Sequence, residues 1–189
     1  GIVAAAALLT CLQVFAVGIT NILDSVFSML LTLAMGSFFF AYRETIAWVK
    51  TCFLLSCGIF IGLAFLTKGF IAFLLPVGAI ALFMIWERQG KQLLRISWVP
   101  IITAVLVALP WCLMICLREH DFWNHFFWVE HVDRFISPIR NPHPESFWFF
   151  FPLIVGGALP WSVLVPVVLA RLSSLPRKDS FIRFTLCWF

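Results

Sequence analysis

The sequence predicts an all-α fold, a polytopic transmembrane helical bundle, and three observations carry that expectation. Of its 189 residues 62% are hydrophobic and only 12% charged, and the mean hydropathy of +1.03 lies far above that of a soluble domain. Apolar runs recur at about the 20 residues that a helix rising ~1.5 Å per residue needs to cross a hydrocarbon layer of about 30 Å. The charged residues lie between these runs rather than within them.

Six spans follow, at roughly 2–20, 25–42, 51–67, 70–86, 97–117 and 147–170. The first has no basic leader and no small-residue cleavage site, so it reads as a span and not as a signal peptide. It is already apolar at Gly1, and a further run is starting at Phe189. The expectation is therefore a fragment of a larger protein, with residues 1–189 as one transmembrane domain. The second span opens on Asp24. The third carries Gly58 and Gly62, a G-x-x-x-G pair that allows another helix close approach. A tight turn at Lys68-Gly69 leads into the fourth. Pro110 in the fifth and Pro160 in the sixth are expected to kink their helices. Ala-Leu-Pro-Trp recurs at 108–111 and 158–161, but the flanks do not match and no repeat is inferred.

The loops alternate in charge. Arg43, Lys50, Arg88, Lys91, Arg95, Arg171, Arg177, Lys178 and Arg183 are nine of the thirteen basic residues, and they mark the cytoplasmic side under the positive-inside rule. Asp24, Lys68 and the long loop 118–146 fall on the opposite, outer face. A connection of that length is usually functional. The net charge of +4 could suggest nucleic acid, but the basic residues form no stripe, and none is expected as a partner. Trp48, Trp86 and Trp98 on one side, and Trp111, Trp123, Trp128 and Trp148 on the other, suit interfacial belts. The six cysteines form no C-x-x-C pair and read as small apolar packing residues.

The residues that could carry chemistry lie on the outer face. Asp24 is a carboxylate at the hydrocarbon boundary, a functional candidate by its cost there, with a helix cap as the bland alternative. Lys68 sits where positive-inside statistics disfavour a cation. A lipid phosphate would explain it, and a snorkelling lysine is the alternative. Residues 121–135, Asp-Phe-Trp-Asn-His-Phe-Phe-Trp-Val-Glu-His-Val-Asp-Arg-Phe, interleave aromatic and charged groups on no single face, as an interfacial segment would. If this segment is helical, Glu130 and Arg134 are i,i+4 neighbours. They form either one ion pair or, with His131, a cluster able to grip phosphate, His131 contacting a divalent ion or a proton. Arg140, His143 and Glu145 follow in a proline-punctuated stretch that suggests a shaped loop over the site.

Asp-Phe-Trp-x-x-Phe-Phe-Trp-Val-Glu-His-Val-x-Arg-Phe, then a Pro- and His-containing loop, Phe-Trp and Gly-Ala-Leu-Pro-Trp, resembles the polyprenyl-phosphate-sugar-dependent membrane glycosyltransferases of the GT-C fold. These are the protein mannosyltransferase-like family, and within it the lipid A aminoarabinose transferases. Leu-Asp-Ser at Asp24 and Leu-Thr-Lys-Gly-Phe at Lys68 extend the likeness over most of the chain. The resemblance implies an inverting transferase in the bacterial inner membrane, its site facing the periplasm. Such an enzyme moves 4-amino-4-deoxy-L-arabinose or a similar sugar from undecaprenyl phosphate to lipid A. It further implies catalytic roles for Asp24, Glu130 and His131, and donor-phosphate binding by Lys68, Arg134 and His143. No cofactor is required by it, though a divalent metal ion at His131 is compatible, with a second ligand from outside the chain. The family's acidic catalytic residue would lie upstream of Gly1, so the chain alone should be inactive. Phe149 and Phe150 stand where relatives often have two tyrosines. A related GT-C enzyme acting on a protein or another lipid, and a transporter subunit, are the alternatives.

Overall fold

The computed structural model describes residues 1–20, 23–119, 121–124, 126–128, 147–171 and 179–188. Among these every regular element is helical. The order is α1 (Ile2–Leu9), α2 (Leu12–Ile19), α3 (Leu23–Arg43), α4 (Ala47–Lys68), α5 (Ile71–Trp86), α6 (Gly90–Ile96), α7 (Trp98–Arg118) and α8 (Phe122–Asn124). A 3-10 turn at Phe147–Phe149, α9 (Phe150–Gly157), a second 3-10 turn at Trp161–Leu164, α10 (Val165–Arg171) and α11 (Ser180–Trp188) complete it. Leu23–Arg43, Ala47–Lys68 and Gly90–Arg118 are long and apolar enough to cross a membrane; counting each interrupted pair, α1 with α2 and Phe150–Gly157 with Trp161–Arg171, as one span gives up to five. The protein is thus an all-α, multi-pass membrane protein. Ile71–Trp86 is apolar but only 16 residues long, about 24 Å at ~1.5 Å per residue.

The chain forms two compact units, one of Gly1–Phe15 with Leu109–Val163, the other of Ala16–Ala108 with Leu164–Phe189. In the second, α3 and α4 form an antiparallel hairpin. Three residues join them, and Glu44 steadies the turn by accepting hydrogen bonds from the Thr45 and Ile46 amides at 2.8 and 2.9 Å. Ala34 and Ala64 are fully buried, small enough for the helices to approach closely. Phe39, Phe83 and Phe184 then draw α5 and α11 onto α3. Phe39 and Phe184 are 4.9 Å apart at the ring centroids, and Phe83 meets Phe184 edge-on at 5.2 Å, separations favourable for aromatic pairs.

Gly58 and Gly62 do what their spacing predicts. A Cβ built on Gly58 would stand 2.5 Å from the Pro100 carbonyl oxygen, and one on Gly62 2.8 Å from that of Ala104. The α7 backbone therefore rests directly on this face of α4. At the other end of α4 the chain reverses through Gly69 at φ 72°, its amide bonded to the Phe65 carbonyl at 2.7 Å, a conformation that glycine adopts without strain. The helix α5 ends differently. Arg88 takes the left-handed position at φ 58°, while the Gln89 amide reaches the Met84 carbonyl and the Arg88 amide that of Ile85, both at 2.9 Å. This is a Schellman cap with arginine where glycine is usual.

Two expected spans are interrupted in the first unit. In the run 2–20 the helix breaks at Thr10-Cys11, where the Thr10 hydroxyl donates to the Ala6 carbonyl at 2.7 Å. The Leu12 amide freed there donates to the Leu159 carbonyl at 2.9 Å, and Trp161 Nε1 donates to Thr10 Oγ1 at 2.8 Å. Backbone groups inside a membrane need such internal partners. The run 147–170 stops at Gly157 and resumes after Pro160, as the expected kink requires. Pro110, by contrast, lies within an unbroken α7.

Candidate functional site

Asp24 and Lys68, 44 residues apart in the sequence, form an ion pair. The fold makes this inevitable once α3 and α4 pack antiparallel, because Asp24 lies in the first turn of α3 and Lys68 in the last turn of α4. Each charge also suits its own helix. A carboxylate is favourable at the positive end of a helix dipole and an ammonium at the negative end, by about 0.3–1 kcal/mol each. The Lys68 ammonium further lies 5.5 Å from the centre of the Phe27 ring, one turn along α3 from Asp24.

The pair is open to its surroundings, with Lys68 37% and Asp24 54% exposed. An exposed ion pair contributes only about 0–1 kcal/mol. Either group can therefore turn to another partner at small cost, and a phosphate that gains negative charge is a strong partner for an ammonium. Phe27 was not picked out from the sequence. Its signal was available, since Asp24 and Phe27 are i,i+3 neighbours and share a helix face.

Of the other sequence-derived candidates, Glu130, His131, Arg134 and His143 lie outside the described residues. The start of their motif is described. Phe122 meets Trp111 of α7 edge-on at 5.6 Å and stacks on Phe126 at 5.4 Å, so the segment entering the motif is held by aromatic packing against the end of α7. A π-helical turn follows at residues 126–128. Phe149 and Phe150, the two phenylalanines noted in the sequence, are exposed and pack edge-on at 6.0 Å. Among the described residues no three His, Cys, Asp or Glu side chains gather as a metal site, and all six cysteines are free thiols.

Comparison with known proteins adds to this geometry. The profile of the family described as dolichyl-phosphate-mannose-protein mannosyltransferase matches residues 1–126. An undecaprenyl phosphate-alpha-4-amino-4-deoxy-L-arabinose arabinosyl transferase of Erwinia tasmaniensis is 37% identical over 187 residues, 99% of this chain and 34% of that protein. A protein of the same name from Serratia proteamaculans (39% over 182 residues, 95% of this chain and 32% of that protein) and the arabinosyl transferase 2 of that name from Proteus mirabilis (34% over 181, 96% and 32%) are similar as well. The chain spans about a third of the length of these curated relatives. No solved structure matches.

Proposed function

We propose, since the chain belongs to the dolichyl-phosphate-mannose-protein mannosyltransferase family, that it takes part in moving 4-amino-4-deoxy-L-arabinose from undecaprenyl phosphate to lipid A at the periplasmic face of the bacterial inner membrane. The observation that carries this reading is the accessible Asp24–Lys68 pair at one shared end of two adjacent spans. The names of the relatives supply the donor and the sugar.

In the proposed reaction a phosphate oxygen of the acceptor attacks the anomeric carbon of the sugar. The bond from that carbon to the donor phosphate breaks, and undecaprenyl phosphate leaves with the bonding electrons. Negative charge grows on the leaving phosphate, so a cation held against it lowers the barrier. Lys68 is that cation, turned toward the donor and kept in place by Phe27. Asp24 holds the ammonium when no donor is bound and orients donor or acceptor afterwards. Arg134 and His143 are proposed to bind the same phosphate, and Glu130 and His131 to organise the site, His131 with or without a divalent ion. A transporter would place ionisable groups near the middle of its spans. In residues 25–42, 51–67 and 98–117 there is no Asp, Glu, Lys or Arg.

The test is mass spectrometry of lipid A from cells with and without the intact gene. The proposal expects aminoarabinose-modified lipid A only where the gene is present, and its loss with Lys68→Ala at unchanged membrane insertion. A modified protein in place of modified lipid A would move the acceptor to the other branch of the family.

A further inference from the structure

We propose that the cleft between the start of α4 and α6 binds the phosphate headgroup of an anionic phospholipid. This cleft, about 710 Å³ in volume, is lined by Lys50 of α4, Lys91 and Arg95 of α6, and the apolar side chains of Leu54, Ile96 and Trp98. It lies at the end of α4 remote from Lys68, 18 residues or about 27 Å along the helix, and is thus separate from the Asp24–Lys68 site. In the sequence these three cations are markers of membrane sidedness.

The placement of Lys50 and Lys91 works against the helices that carry them, whereas Arg95, in the last turn of α6, suits its own. Lys50 lies in the first turn of α4, at the positive end of its dipole. Lys91 and Arg95 are i,i+4 neighbours on α6, a like-charge spacing that destabilises a helix. No anion of the protein offsets this among the described residues. Glu44 accepts the Thr45 and Ile46 amides. Glu87 pairs with Arg183 at 3.1 Å, and Asp179 accepts the Phe181 amide at 2.8 Å. Every acidic residue on this face is engaged elsewhere, while three cations converge on one cavity.

The missing anion is a lipid phosphate in preference to a free one because of what else lines the cleft. Leu54 and Ile96 of its lining are buried, and an apolar lining has no use for a small hydrated ion. Trp98 opens α7 beside it, a residue type that settles at the headgroup level. Basic pockets between spans at a membrane surface suit anionic headgroups, with a worth of roughly 1 kcal/mol or about fivefold in affinity for each cation.

The experiment is native mass spectrometry of the intact protein in detergent, titrated with phosphatidylglycerol, phosphatidylcholine or inorganic phosphate. Wild type is expected to retain phosphatidylglycerol over phosphatidylcholine. Lys50→Gln, Lys91→Gln and Arg95→Gln should each reduce that retention about fivefold, and Lys91→Arg should keep it. Arg88→Gln removes a cation of the same face outside the cleft lining and should change retention little. Equal retention of the two lipids, or an equal loss in Arg88→Gln, overturns the proposal. Displacement of phosphatidylglycerol by inorganic phosphate alone also overturns it, in favour of a free-anion site. All these side chains except Lys50 are exposed, so the variants should fold, and an unchanged elution volume verifies that they do.

Discussion

The Lys68 ammonium stands 5.5 Å from the centre of the Phe27 ring while it pairs with Asp24, so one face of α3 presents both an acid and a π-cloud to the same cation. If Phe27 holds Lys68 in position for a donor phosphate, Phe27→Leu keeps the apolar bulk and loses the ring. Sugar transfer should then fall by about two- to fivefold, the equivalent of ~0.5–1 kcal/mol for an exposed cation–π contact. Lys68→Ala should abolish transfer, and Lys68→Arg should retain part of it. Rates of lipid A modification in membranes carrying each variant decide this, with Phe27→Leu at wild-type rate counting against a positioning role.

A Cβ at Gly58 or Gly62 has nowhere to go, because backbone oxygens of α7 stand 2.5 and 2.8 Å away. Gly58→Ala and Gly62→Ala should each destabilise the protein by about 1–3 kcal/mol, the usual cost of overpacking. Gly36 and Gly78 have nothing within 4 Å of a built Cβ. Alanine there should be neutral or gain up to about 1 kcal/mol from helix propensity. Thermal unfolding in detergent compares all four.

Arg183 and Glu87 form an ion pair of 3.1 Å with the carboxylate only 11% exposed, and the second Glu87 oxygen is buried without a hydrogen-bond partner among the described residues. Arg183→Ala leaves that carboxylate uncompensated and should cost about 3 kcal/mol. The double variant Arg183→Met with Glu87→Leu should recover most of the loss, since an apolar replacement of both partners is often tolerated. Non-recovery in the double variant, seen as an unfolding temperature no higher than that of Arg183→Ala, would contradict this.

Arg88 occupies a left-handed backbone position at φ 58°. Arg88→Gly relieves the crowding of its Cβ and should stabilise the protein by about 0.5–1 kcal/mol. A rise in unfolding temperature is the expected readout, with Arg88→Ala giving none.

Much of this was legible before any coordinates. The long helices fall on the apolar runs, α3 at Leu23–Arg43 and α7 at Trp98–Arg118, because in lipid every backbone group must be bonded within its own helix and an apolar run of that length has no other stable form. Gly58 and Gly62 announced the α4–α7 approach, and Lys68 was conspicuous by its charge alone. The breaks were not legible. Thr10 looks no different in sequence from Thr32 or Thr51, whose helices run on unbroken, and a uniformly apolar run offers no periodicity to show where it will be interrupted. Nor was the convergence of Lys50 with Lys91 and Arg95, which depends on α5 returning the chain to the start of α4. Glu130, His131, Arg134 and His143 lie outside the described residues, so their part in the site rests on the sequence.

The helix α4 carries a lysine near each end, Lys50 and Lys68, and its 22 residues measure about 33 Å at ~1.5 Å per residue against a hydrocarbon thickness of roughly 30 Å. The two ammonium groups stand only 18 residues or about 27 Å apart along it, so the rod between them is a rigid gauge slightly shorter than that layer. Stretching of the lysine stems and local thinning of the bilayer are the cheap ways to make up the difference. Bilayer thickness then governs how deeply both ammonium groups are immersed, so that lipid chain length becomes a control on each end of the rod at once.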